Sequence, residues 1–150
     1  MTTYFLDTSA LAKYFLPEIG TYWLRQLLRP SVGHILIVAD TTPLEMLSVL
    51  KRKQRAGRAS VATVAAIRNN FLKHFEHLYL SVALDANRLK DAERGVMQYD
   101  LRTLDAIQLA CALYARSLLS EPITFLSSDQ DLLAAARAEG FGIDDPNLHP

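Results

Sequence analysis

Four carboxylic acids in this chain sit where chemistry could be done: Asp7, Glu45, Asp105 and Asp129. Asp7 closes the apolar run "TYFLD", and Asp129 follows "ITFLSS". Glu45 lies in "TPLE", one turn into a helical pattern. Asp105 lies inside "LRTLDAIQLACALYA", which is apolar on nearly every side. A bare carboxylate in such a place is costly unless something compensates its charge. Carboxylates brought together repel, and their pKa values rise unless a cation neutralises them. Oxygen donors without His or Cys suit Mg²⁺ or Mn²⁺. Such an ion can activate water and stabilise charge on a phosphoryl oxygen, which is the chemistry of phosphodiester hydrolysis.

Each acid also has a plainer reading. In "TPLE", Thr42 as N-cap, Pro43 at the first position and Glu45 at the third have capping-box spacing. Asp129 could cap the following helix, with Ser128 and Asp131 as a second box-like pair. Asp7 could serve a strand-to-helix corner. Asp105 has Arg102 three residues away as its plainest partner.

The elements that must position these acids follow from the apolar pattern. Short, nearly continuous apolar runs at 3–7, 34–40, 77–82 and 123–128 read as strands buried on both faces. Helical patterns lie between them, with Gly57 as a C-terminal stop and Ser60 as an N-cap. The last patterns cover 84–98, 102–119 and 130–139. Alternating strands and helices predict one α/β domain over 1–150, with a mainly parallel central sheet of four to five strands flanked by helices. Ligands gather at the carboxyl ends of such strands, where Asp7, Asp40 and Asp129 fall.

Composition narrows the class. The chain has 150 residues, 50% of them hydrophobic, so it is neither disordered nor in need of staples. Sixteen basic and sixteen acidic residues balance, so only their distribution can speak to a nucleic-acid partner. The tract "KRKQRAGR", with Lys51, Arg52, Lys53, Arg55 and Arg58, is the candidate phosphate-binding patch. It also suits a solvated helix C-terminus. Lys13, Arg25 and Arg29 are further candidates for the groove. The lone Cys111 lies in the apolar stretch and reads as core. His34, His74, His77 and His149 are scattered and read as surface or strand-end residues, while Tyr22 and Trp23 read as packing on an amphipathic helix. The N-terminus lacks signal-peptide features, and no apolar run could span a bilayer, so a cytoplasmic protein is expected.

The pieces "FLDTSALAKYF", "TTPLEMLSVLKRKQRAG", "LRTLDAIQLACAL" and "FLSSDQDLLAAARAEG" together resemble the PIN-domain ribonucleases, most of all the VapC-type toxins of toxin–antitoxin pairs. The resemblance spans essentially the whole chain. It implies that Asp7, Glu45, Asp105 and Asp129 are the catalytic acids, with Asp131 as rival to Asp129. Asp7, Asp105 and Asp129 would hold one or two Mg²⁺ or Mn²⁺ ions, and Glu45 would orient or deprotonate the attacking water. Thr8, Ser9 and Ser127 would support the acids, Ser127 standing where Thr is commoner. It further implies an RNA substrate, an inhibitory antitoxin and a homodimer. Two other readings stand beside it: a PIN-like module that binds RNA or protein without cutting, and a phosphoryl-transfer enzyme with Asp7 as nucleophile. Ser9 weakens the latter, because a second acid would be expected there.

Overall fold

Each apolar run becomes a strand whose successive side chains enter opposite helical layers. In a computed structural model covering residues 1–150, β1 (Thr3–Leu6), β2 (Ile35–Ala39), β3 (Leu80–Val82), β4 (Ile123–Leu126) and β5 (Gly142–Asp144) form one sheet. Its order is β3-β2-β1-β4-β5, and every pairing is parallel. The helices are α1 (Thr8–Phe15), α2 (Thr21–Leu27), α3 (Thr42–Arg55), α4 (Val61–Leu78), α5 (Ala86–Tyr99), α6 (Thr103–Leu118) and α7 (Gln130–Ala138). Phe5, Ile37 and Phe125 face one core, shared with α5, α6 and α7. Leu6, Leu36, Val38 and Leu126 face the other, shared with α1, α2, α3 and α4. Phe5 and Phe125 are register partners, and their rings stack at 5.3 Å. Both faces of the sheet are covered, which is why its strands read as unbroken apolar runs.

The chain runs outward from β1 to β2 and β3, then crosses back to β4 and β5. Its direction of growth therefore reverses between β1 and β4, opening a crevice beyond their carboxyl ends. Asp7 leaves the sheet just there. Its N–H still donates to the Leu126 carbonyl at 3.0 Å, while the residue itself becomes the N-cap of α1.

Several boundaries differ from the sequence reading. The third strand starts at Leu80 rather than at 77, because α4 continues to Leu78. The packing of its own Phe71, Leu72 and Phe75 into the core carries the helical period through. The fifth strand, "GID", is too short and polar to be seen as an apolar run. Thr42 is not the N-cap of α3: Thr41 is, and Thr42 is a buried residue of the first turn. Gly57 does end α3 in the left-handed region at φ 71°, and the Ser60 hydroxyl accepts the Thr63 N–H at 3.0 Å as a cap. No helix is long and apolar enough to cross a membrane.

Candidate active site

The four acids occupy the N-terminal ends of four different helices. Asp7 caps α1, Glu45 lies in the first turn of α3, Asp105 in the first turn of α6, and Asp129 caps α7. The partial positive charge of a helix N-terminus favours a carboxylate there, so each helix offsets part of the repulsion. All four line one cavity of about 200 Å³ at the β1–β4 crevice, together with Thr8, Ser9, Arg52 and Leu104.

Asp7 is the most enclosed. It is 3% exposed, and its Oδ2 accepts from the hydroxyls of both Ser9 and Ser127. Those hydroxyls are fixed in turn: Ser9 Oγ accepts the Ser128 N–H and Ser127 Oγ the Asp129 N–H, each at 3.0 Å. Burial pushes the Asp7 pKa up to about 6 against these hydrogen bonds, with Glu45 adding repulsion. Thr8 plays a different part, accepting from the Gln108 amide at 3.3 Å.

Asp105 is half-buried, and no side chain donates a hydrogen bond to it or pairs with it. Arg102 only eases its charge from a distance, so the expected local ion pair does not form. Burial first, then repulsion from Asp129 and Asp7, raises its pKa to about 6. Glu45 is raised as well, chiefly by burial, with Thr41, Gln108 and Thr8 opposing and Asp105 adding repulsion. Its Oε1 accepts from Thr41 Oγ1 at 2.8 Å and from Gln108 Nε2 at 3.0 Å. The capping-box reading of Glu45 is thereby replaced by side-chain donors. Asp129 does cap α7, through Leu132 N–H to Oδ1 at 2.9 Å. The Ser128–Asp131 box does not form. Ser128 Oγ is buried without a partner, and Asp131 is exposed outside the cavity, though close enough to repel Asp105.

No three His, Cys, Asp or Glu side chains stand close enough to form a ready-made metal cage. The chemistry of the donor set nevertheless fits a hard cation. It consists of carboxylates and hydroxyls alone, and three of its acids are held above their ordinary pKa values. A divalent ion would reverse that shift by stabilising the charged forms.

Arg52 is the one cation lining the cavity. Lys51 and Arg55 are exposed on the same helix end, Lys51 bonding Gln54. Lys53 instead pairs with Glu18 at 3.1 Å, and that carboxylate also holds the buried Lys13 at 3.0 Å. Neither lysine is a free groove cation. Arg25 is likewise engaged, its Nε donating to the Tyr14 carbonyl at 2.9 Å. Among the histidines, His77 is exposed and His34 accepts the Thr2 N–H. His74 corrects the surface reading, packing edge-on against Tyr14 and Phe15. His149 stacks on Trp23 at 3.8 Å and bonds Asp144 at 2.8 Å, so Trp23 is a packing residue, whereas Tyr22 is 77% exposed. Cys111 is buried in the core. The sequence reading missed Thr41 and Gln108. The available signal was a glutamine three residues after Asp105 in an otherwise apolar helix.

Comparison with known proteins agrees with this architecture. The PIN-domain family model matches residues 4–138. No curated protein matches the sequence. Among solved structures, PAE2754 from Pyrobaculum aerophilum is similar with a TM-score of 0.67 and 18% identity, over 98% of this chain and 91% of that one. The sarcin–ricin-loop-cleaving toxin VapC20 of Mycobacterium tuberculosis is similar with a TM-score of 0.64 and 15% identity, over 99% of this chain and 100% of that one. With the family match spanning most of its length and the five-stranded parallel sheet in place, this chain belongs to the PIN-domain family.

Proposed function

We propose that the protein is a metal-dependent endoribonuclease and the toxin of a toxin–antitoxin pair. The observation that carries this reading is the convergence of Asp7, Glu45, Asp105 and Asp129 on one cavity at the β1–β4 crevice, where burial and mutual repulsion keep Asp7 and Asp105 near pKa 6. A site strained in this way by its own charge is built to take up positive charge. Asp7, Asp105 and Asp129 would hold Mg²⁺ or Mn²⁺. When bound, the ion supplies a Lewis acid for the phosphate oxygens and lowers the pKa of water.

The chain's own residues do the rest. Ser9 and Ser127 orient the Asp7 carboxylate. Arg52, at the rim, draws in a backbone phosphate, with Lys51 and Arg55 extending the positive edge. Glu45 accepts the proton of the attacking water, its raised pKa bringing it closer to neutral pH. Ser9, which stands where a phosphoryl-transfer enzyme with Asp7 as nucleophile would be expected to carry a second acid, hydrogen-bonds Asp7 instead. The family match and the likeness in fold to a sarcin–ricin-loop-cleaving toxin support the toxin role, and an antitoxin partner, a homodimer and a cytoplasmic setting are part of the same proposal.

The test is a cleavage assay on single-stranded and structured RNAs with Mg²⁺ or Mn²⁺, with chelator, and with Asp7→Asn. Cutting that vanishes in the last two conditions supports the reading. Cutting that survives either, or no cutting of any RNA by the parent, overturns it.

A further inference from the structure

Gln108 is wholly buried in α6, one turn beyond Asp105 on the same face of the helix. Its Nε2 donates to Glu45 Oε1 at 3.0 Å and to Thr8 Oγ1 at 3.3 Å, while its own Oε1 has no partner. An unpaired buried amide oxygen is a cost to folding. Its neighbours along α6, Ile107, Leu109, Ala110 and Cys111, are all buried apolar residues, so the amide is the polar exception on this stretch of the helix. The amide cannot turn over freely, because its oxygen would then face the Glu45 carboxylate. Thr41 Oγ1 donates to the same Glu45 oxygen at 2.8 Å. Two donors from two elements thus converge on Oε1, the Thr8 hydroxyl lies close enough to ease the carboxylate's charge as well, and no hydrogen bond within 3.5 Å reaches Oε2.

We propose that Gln108 is a positioning residue which, with Thr41, anchors Oε1 of Glu45 and leaves Oε2 as the working oxygen in the cleft. The inference rests on Glu45 acting in the proposed hydrolysis. It adds to that reading the residue that sets the orientation of Glu45. The orphaned oxygen is then the cost of keeping a donor against the carboxylate.

The experiment compares the parent with Gln108→Leu and Gln108→Met in metal-supported RNA cleavage and in thermal unfolding. The expected result is an unchanged or higher Tm, kcat lower by about tenfold or more, and KM within about twofold. Thr41→Val should lower kcat in the same way, and Thr41→Ser should restore it. A lower Tm with parental kcat would assign Gln108 a purely structural role and overturn the proposal. Side-chain amide hydrogen exchange of Gln108, followed by ¹⁵N NMR in the parent and in Glu45→Ala, decides the contact without any nuclease activity. Protection that is lost in Glu45→Ala supports the anchor, and equal exchange in both overturns it. A parent that cuts no RNA yet shows this protection would sink the nuclease reading and leave the Gln108–Glu45 anchor standing.

Discussion

Ser127 Oγ donates to Asp7 Oδ2 at 2.7 Å, so the end of β4 holds the acid that ends β1 across 120 positions of sequence. The same hydroxyl accepts the Asp129 N–H and thereby orders the start of α7. In Ser127→Ala both bonds are lost, one to a charged acceptor and one from a backbone donor. Destabilisation of about 1–3 kcal/mol is expected in urea unfolding. Asp7 should titrate higher, moving the acid limb of the pH–rate profile upward. An unchanged limb would show that the Ser127 hydroxyl does not influence the charge of Asp7.

Asp7 makes stability depend on pH in an unusual direction for an acid. Its folded pKa, about 6, lies above the unfolded value near 3.8. Between those values the folded state binds more protons than the unfolded one, so stability falls as pH rises. The loss is complete above about pH 6. For Asp7 it amounts to roughly 3 kcal/mol, from about two pKa units. Asp105 acts in the same direction and over the same window, with a smaller effect because solvent screens it. Metal-free protein should therefore melt at a lower temperature at pH 7.5 than at pH 5, and Asp7→Asn should flatten the curve. A melting temperature that rises steadily from pH 4 to 7.5 in the parent contradicts the buried-charge account.

Added metal should reverse this loss. At pH 7.5, Mg²⁺ or Mn²⁺ at a hundred times its dissociation constant stabilises the native state by about 2.7 kcal/mol through mass action. The gain should shrink in Asp105→Asn, which removes one charged donor. Calorimetric scans with and without chelator provide the check, and no shift with either ion would refute the donor assignment.

Arg52→Ala should weaken RNA binding without altering the fold, since the side chain is exposed at the cavity rim. Loss of one phosphate contact lowers the slope of log affinity against log salt by about 0.7 on single strands. Lys53→Ala should leave that slope alone and cost a little stability, because its ammonium is spent on Glu18. Equal salt slopes for the parent and Arg52→Ala would remove Arg52 from the interface.

Gly20→Ala tests the packing that carries the C-terminus. Gly20 has φ 87°, and a Cβ there would sit 2.2 Å from the carbonyl oxygen of Pro146. Backbone strain and collision together should cost about 2–4 kcal/mol in denaturant unfolding. A loss below about 1 kcal/mol would mean the Pro146 turn is free to move aside.

The sequence by itself determined the layered fold and the places where acids leave it. The short apolar runs at 3–7, 34–40 and 123–128, bounded by turn residues, read as strands covered on both faces, and "FLDTS" and "FLSSD" mark where two of them end. Gly57 and Ser60 were legible because the stop and the cap are local, set by backbone freedom and by one hydroxyl. Tertiary structure alone decided which side chains answer each other. Local spacing offered Arg102 to Asp105 and a capping box to Glu45, but Asp105 faces the charges of Asp129 and Asp7 with no bonding partner, and Glu45 is held by Gln108 of α6 as well as by Thr41 at the start of its own helix. Thr41 and Gln108 stand 67 positions apart and share one oxygen of Glu45 only because α3 and α6 both begin beside the reversal of the sheet. The physical reason is range. Caps and turns are settled within a few residues, whereas the charge state of a buried acid is set by everything folded around it.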